Sequence, residues 1–402
     1  MSGLAQASIC PTTTPILDRL VPLPERRKRT RKALLLQIFL GAVIGGALSY
    51  TLISRPERFG AFSFLGTTNS LTPVISLWMF IFCFYASLYL GVIIHELGHL
   101  LAGILSGYRV NFIRVGPIQI NPPFRVSRQP KSGIGAAGMV SLLPEKNSNV
   151  RASAVFMLLG GPLANLISAG FTFLLPKPVP AFASWFMGIS VLLGIGNLIP
   201  FVRRGAVSDG YRILVTLRKT PRGERWLAIM HLCTALWDGE LPEKLDQELL
   251  KRATAHVDRW PDTVAGHMLA YSAAFDQHND AEAGRLLEIA LQHSPFTFFV
   301  GKEAVLVEAT IFQAKRRGRI DLAEQWLSDV PQETLTPGMR CLAEAAVLEA
   351  RNDLAAALAK LKESEQAISM MPPGFERDVM LSSLTRRQSE IPVQRANAPV
   401  AG

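Results

Sequence analysis

The sequence is poor in cysteine. Its four cysteines, Cys10, Cys83, Cys233 and Cys341, lie far apart along 402 residues, and no CxxC pair occurs. That excludes a disulfide framework and a thiolate metal site. Charge is also scarce, at 18% of residues. Between Arg58 and Arg109 the only formally charged side chain is Glu96. The N-terminal residues do not read as a simple cleavable signal peptide either. Residues 1–25 are mixed and rich in Pro and Thr, and a basic run, Arg26, Arg27, Lys28, Arg29, Arg31 and Lys32, follows. Behind it, 22 uncharged residues, 33–54, exceed a signal h-region and are long enough to span a bilayer. The net charge of +10 raises nucleic acid as a partner. Much of that excess flanks apolar runs, as on the cytoplasmic side of membrane helices, so nucleic acid is set aside.

What is present divides into two parts. Residues 1–215 hold almost every long apolar run, and the rest has the pattern of a soluble helical region. Four spans are predicted, at about 33–54, 75–105, 152–176 and 181–202. The second run exceeds one perpendicular crossing and implies tilt or emergence into the interface. The basic residues of the loop 106–151 and the pair Arg203 and Arg204 put those segments in the cytoplasm. Both termini then face the cytoplasm. Within the loop, VNFIRVGPIQI at 110–120 alternates and is β-branched, which predicts a strand or hairpin at the membrane surface.

The chemistry concentrates at HELGH, residues 95–99. His95 and His99 are i and i+4 and share one helix face. Two imidazoles so placed can hold one zinc ion, with Glu96 beside it as a proton acceptor. An acidic residue inside an apolar span is expensive unless paired or functional. The plain alternative is a metal-free hydrogen-bonded cluster between helices. A catalytic zinc takes three protein ligands and keeps one position open. His231, His256, His267, His278 and His293 all lie in the helical part. Asp209, in GAVSDGYRIL after the fourth run, is expected at the depth of the two histidines and is the preferred third ligand. By itself, SDG would suit a turn or an N-cap. Gly210 is expected to let the chain turn tightly there.

HELGH at 95–99, GPLAN at 161–165 and NLIP to SDG at 197–210 together resemble the site-2 protease family of intramembrane zinc metalloproteases. The resemblance covers roughly residues 75–215. It implies Zn2+ held by His95, His99 and Asp209, with Glu96 as the base. It also matches the family's asparagines to Asn165 and Asn197, for which substrate or oxyanion contacts are expected. The link from Asn197 to Asp209 is longer than in many relatives and holds Arg203, Arg204 and Gly205. No inserted peptide-recognition domain is visible between the spans.

Beyond residue 216, three segments each set a turn residue and an acidic residue before an apolar stripe: HNDAEAGRLLEIAL, RGRIDLAEQWL and RNDLAAALAKL. Aligned on Asp280, Asp321 and Asp353 they predict stacked helix pairs of irregular period, tetratricopeptide-like in kind. A plain helical bundle is the alternative. Trp226, Trp237, Trp260 and Trp326 read as core anchors, and Pro372, Pro373 and Gly374 as a helix break.

The expected fold is therefore mostly α: a polytopic membrane metalloprotease core with about four transmembrane helices, then an α-helical repeat-like domain. Its parts are a basic cytoplasmic segment at 1–32, the membrane-embedded protease domain at 33–215, a cytoplasmic helical domain at 216–386 and a disordered tail at 387–402. The expected activity is zinc-dependent cleavage of a membrane protein in or near its transmembrane segment, in a bacterial inner membrane. The helical domain would hold a substrate tail or a cytosolic regulator. The competing readings are a non-proteolytic membrane scaffold and a proton-relaying transporter.

Overall fold

The computed structural model describes residues 16–18, 72–128, 138–145, 150–176, 180–203, 206–294, 302–332 and 336–397. The expected first span, 33–54, and the basic segment other than 16–18 lie outside them. The chain forms two compact units.

The first unit comprises Arg26–Asp238 and Pro372–Glu376. Its described core is three apolar helices that pack on one another: α1, Thr72–Leu105; α2, Val150–Phe171; and α3, Ala181–Leu198. In α1, apolar residues occur all round the helix, as in a membrane span rather than a surface helix. The outward positions carry large apolar side chains, including Trp78, Phe82, Leu101, Phe156, Ile167 and Phe171. Among the described residues, two helices are long and apolar enough to cross a membrane, at Trp78–Leu105 and Val150–Leu174. The third apolar helix, Phe182–Leu198, is shorter. The protein is thus an integral membrane protein, and two of the four expected spans are supported among the described residues.

Helices α1 and α2 cross at glycine. A Cβ on Gly98 would sit 2.3 Å from the Gly160 carbonyl oxygen, and a Cβ on Gly160 would sit 2.3 Å from that of Gly98. No larger residue fits at either position while the crossing stays this close. The contact lies between His95 and His99 on α1, so it also sets the distance from the histidines to α2.

The loop 106–151 holds more structure than expected. Four antiparallel strands, β1 (Tyr108–Val115), β2 (Ile118–Asn121), β3 (Arg125–Arg128) and β4 (Gly138–Pro144), lie in the order β3-β2-β1-β4. The predicted hairpin is β1–β2, with Val115 opposite Ile118 and Gly116 at a φ of 57° between them. Strand β4, which alternation does not mark, pairs with β1 from Tyr108↔Pro144 to Val115↔Gly138. Tyr108, Leu142, Met157, Leu158 and Met230 form a buried cluster that joins sheet to helices.

The long link after α3 is a hairpin. Strands β5 (Val202–Arg203) and β6 (Ala206–Val207) pair antiparallel. They return the chain so that the Ser208 N–H donates to the Phe201 carbonyl at 3.2 Å. Helices α4 (Asp209–Leu217) and α5 (Pro221–Trp237) follow. Helix α5 belongs to this unit, so the units divide after Asp238 and not at the expected 215/216. Packing explains the shift: Leu227 clusters with Val150 and Ala154, and Thr234 Oγ1 donates to the Pro144 carbonyl at 2.8 Å.

The second unit comprises Met1–Glu25, Gly239–Met371 and Arg377–Gly402. Its described helices are α6 (Gln247–Thr254), α7 (Pro261–Asp276), α8 (Asp280–His293), α9 (Lys302–Lys315), α10 (Ile320–Asp329), α11 (Met339–Ala350), α12 (Leu354–Ser369) and α13, which runs Phe375–Asn397 from the first unit into this one. Helices α7/α8, α9/α10 and α11/α12 are packed neighbours. Each pair turns through a residue of positive φ: His278 at 59°, Gly318 at 60° and Asn352 at 61°. The following N-caps share one backbone geometry, with φ/ψ of −90°/76° at Asn279, −91°/77° at Arg319 and −89°/72° at Asp353. The structural alignment of the pairs is therefore Asn279, Arg319 and Asp353. Asp280 and Asp321 lie one and two positions beyond their caps, and the caps themselves are 40 and 34 residues apart, so the period is irregular in the structure as well. Residues 387–397, expected to be disordered, continue α13. Trp260 and Trp326 are core residues, 6% and 0% exposed.

Candidate metal centre

Histidines 95 and 99 project from one face of α1 and are both 8% exposed. Their Nε2 atoms are 3.2 Å apart. Asp209 Oδ2 lies 3.1 Å from His95 Nε2 and 3.4 Å from His99 Nε2. These are the only three residues among those described that form a metal-ligating cluster. Metal–ligand bonds of about 2.0–2.1 Å in a tetrahedron put ligand atoms about 3.3 Å apart. The observed triangle has that size, so the donor set fits a zinc-sized ion and leaves one tetrahedral position free.

Both rings are held from behind. His95 Nδ1 donates to Asn165 Oδ1 at 2.7 Å, and Asn165 Nδ2 donates to the Gly91 carbonyl at 2.9 Å. His99 Nδ1 donates to the Met157 carbonyl at 2.8 Å. A proton on each Nδ1 leaves each Nε2 lone pair facing the third ligand. Pro162, inside α2, lacks the N–H that the Leu158 carbonyl would accept, which loosens α2 next to Met157. On the same face, a Cβ on Gly161 would sit 2.4 Å from His99 Nε2.

Asp209 is placed by its neighbour. Ser208, 2% exposed, caps α4: its Oγ accepts from the Tyr211 N–H at 3.2 Å. The same Oγ donates to the Ile199 carbonyl at 2.8 Å and accepts from the Phe201 N–H at 3.0 Å. Asp209 is therefore the first residue of a helix, not part of a loose turn. Gly210 does not supply a turn: it is helical, and a Cβ there would lie 1.9 Å from the Leu198 carbonyl oxygen.

Glu96, 7% exposed, points to the start of β4. The Val140 N–H donates to its carboxylate. A Cβ on Gly138 would lie 2.5 Å from Glu96 Oε1. Buried Arg114 on β1 is near enough to feel the Glu96 charge, and burial lowers its own pKa from the usual value.

The structure thus brings together His95, His99, Asp209 and Asn165, with Glu96 on the same helix as the histidines. Asn165 is fully buried, with both carboxamide atoms engaged by His95 and the Gly91 carbonyl. Asn197 is half-buried and donates to its own helix at the Leu193 carbonyl, 3.1 Å away. Sequence reasoning missed Ser208, Gly138, Val140 and Arg114. For Ser208 a signal existed, since a serine opening an apolar-periodic stretch is a standard N-cap. The others depend on strand β4 reaching Glu96.

Two buried histidines and a partly buried aspartate, with a glutamate beside the histidines on an apolar helix, are the donor set and base of a zinc metalloprotease. Residues 83–179 match the family model described as Peptidase family M50, so over this stretch the chain is similar to that family. The match contains HELGH and Asn165 and ends before Asp209, so the third ligand is contributed by geometry outside it. Neither the curated proteins nor the solved structures that were compared gave a match.

Proposed function

We propose that the protein is an intramembrane zinc endopeptidase that cuts membrane proteins in or near a transmembrane segment. The observation that carries this reading is the triangle of His95 Nε2, His99 Nε2 and Asp209 Oδ2, no side longer than 3.4 Å, set in α1 with Glu96 beside it. At 1.5 Å per residue, His99 and His95 lie about 9 and 15 Å from the end of α1 at Leu105. With Leu105 at the membrane boundary, that depth would lie inside a hydrocarbon core about 30 Å thick.

Zinc, when bound by these three side chains, supplies the Lewis acidity that makes water a nucleophile at neutral pH. Glu96 takes a proton from the attacking water and returns it to the departing amine. Val140 N–H holds the Glu96 carboxylate in place for both transfers. Asn165 and the Met157 carbonyl orient the imidazoles. Asn165 or Asn197 is assigned to substrate contact or to the developing oxyanion. A helical substrate must unwind first, because its amides are bonded and covered.

The test uses purified protein and a membrane-protein substrate found by comparing membrane proteomes of wild-type and Glu96→Gln cells. Glu96→Gln should keep its zinc and lose cleavage, while His95→Ala and Asp209→Ala should lose zinc. Wild-type cleavage by E96Q would sink the assignment. Full zinc content in D209A would remove the third ligand.

The bacterial inner membrane, with both termini cytoplasmic, is the setting the basic flanks support. Reporters placed before Arg26 and after Gly402 should both read cytoplasmic, and opposite readings would reverse the site's orientation. The helical unit is assigned the binding of a substrate tail or a regulator. Its repeated pair geometry, with N-caps at 279, 319 and 353, supports a tetratricopeptide-like array.

A further inference from the structure

The short helical turn Ile16–Asp18 sits within the helical unit, held by α8, α9 and α10. Leu17 is 1% exposed. The Glu288 carboxylate on α8 accepts two successive main-chain N–H groups, from Ile16 at 2.8 Å and Leu17 at 3.0 Å. The Leu17 carbonyl accepts from Gln313 Nε2 of α9 at 2.7 Å and from Trp326 Nε1 of α10 at 3.4 Å. Arg317, beyond the end of α9, pairs with Asp18. Gln313 and Trp326 are fully buried.

Four of these five contacts go to main-chain atoms. Such contacts follow a peptide's course whatever its side chains are. Selection is added by the leucine pocket and by Arg317. A purely packed helical array would place an apolar residue at 313, since a buried polar group costs free energy unless it is bonded. Here a buried glutamine amide is aimed at a peptide carbonyl. Its Oε1 has no hydrogen-bond partner among the described residues.

We propose that this groove is a peptide-recognition site for a segment with an apolar residue, a leucine and then an acidic residue. Ile16–Asp18 is its built-in occupant. A partner protein carrying an unstructured segment of that chemistry displaces it. Because the occupant is tethered, it competes at a high effective concentration, and only a concentrated or multivalent partner exchanges with it. This names a site for the partner binding assigned above to the helical unit. Its test reads peptide binding and not proteolysis, so it can fail while the protease reading stands.

The experiment measures anisotropy of a labelled peptide of residues 12–21 with full-length protein in detergent. Leu17→Asp in the protein should vacate the groove and bind the peptide at least tenfold more tightly than wild type. Adding Arg317→Glu should weaken that binding at least tenfold. The same peptide carrying Leu17→Asp should not bind. If L17D keeps hydrogen-exchange protection in α8–α10 and still takes up no more peptide than wild type, the proposal is wrong. If L17D loses that protection, Asp18→Arg replaces it, with the leucine retained. D18R must then bind the peptide more tightly than wild type, and D18R/R317E, which restores an ion pair, must not. Failure of either result overturns the proposal.

Discussion

Asn165 Oδ1 lies 2.7 Å from Nδ1 of His95, and the two residues are 0% and 8% exposed. The contact makes Asn165 a positioning residue for a metal ligand. Asn165→Ala should lower zinc affinity about 10–100-fold, the usual cost of losing such a partner. Zinc content in a series of chelator-buffered zinc solutions checks this. If Asn165 instead stabilised the oxyanion, kcat would fall while zinc affinity stayed unchanged. Asn165→Asp keeps an acceptor for Nδ1 and should retain more zinc than N165A.

The approach of β4 to Glu96 carries a second prediction. A Cβ on Gly138 would overlap the carboxylate at 2.5 Å, and the start of the strand or Glu96 must then move. Gly138→Ala should therefore depress kcat by at least tenfold while zinc content stays at the wild-type level. The metal ligands are held by Asn165, the Met157 carbonyl and the Ser208 cap, through contacts that do not involve this strand. Equal loss of zinc and activity would show that the strand supports the whole site and not Glu96 alone.

These two residues show where the sequence was legible and where it was not. The His95/His99 pair was readable because helical periodicity places i and i+4 together whatever the tertiary fold. Asp209 was readable because SDG follows an apolar run at matching depth. Asn165 was found, but its contact with His95 was not: GPLAN marks a helix in an apolar run, and only packing decides that its carboxamide faces the back of His95. Gly138 and Val140 were invisible, since β4 gains its place from pairing with β1 and not from its own alternation. The hairpin Val202–Val207 was seen only as a longer link. Without it Ser208 would not meet the backbone of Ile199 and Phe201, and the first turn of α4 would not present Asp209 to the histidines. In the helical unit the pairs were legible but their phase was not. Asn279, Arg319 and Asp353 share a cap geometry without sharing a residue type.

The last prediction concerns pH and the helical unit. Glu308 on α9 accepts from the Tyr271 hydroxyl at 3.2 Å and lies 3.9 Å from Arg387. Burial raises its pKa from the usual carboxylate value, and Arg387 opposes the rise without cancelling it. Folding therefore favours the protonated form. The stability this group contributes is fully present below its unfolded pKa, about 4.3. It is lost as pH rises through the higher folded value. Glu308→Gln is neutral at every pH and keeps an acceptor for Tyr271. The difference in stability between E308Q and wild type should thus move in favour of the variant between about pH 4 and pH 8. Hydrogen exchange of the α7 and α9 amides reads the helical unit apart from the membrane helices. A difference that stays flat with pH, or that favours wild type increasingly as pH rises, would mean that Arg387 outweighs burial and that the carboxylate is the form the fold selects.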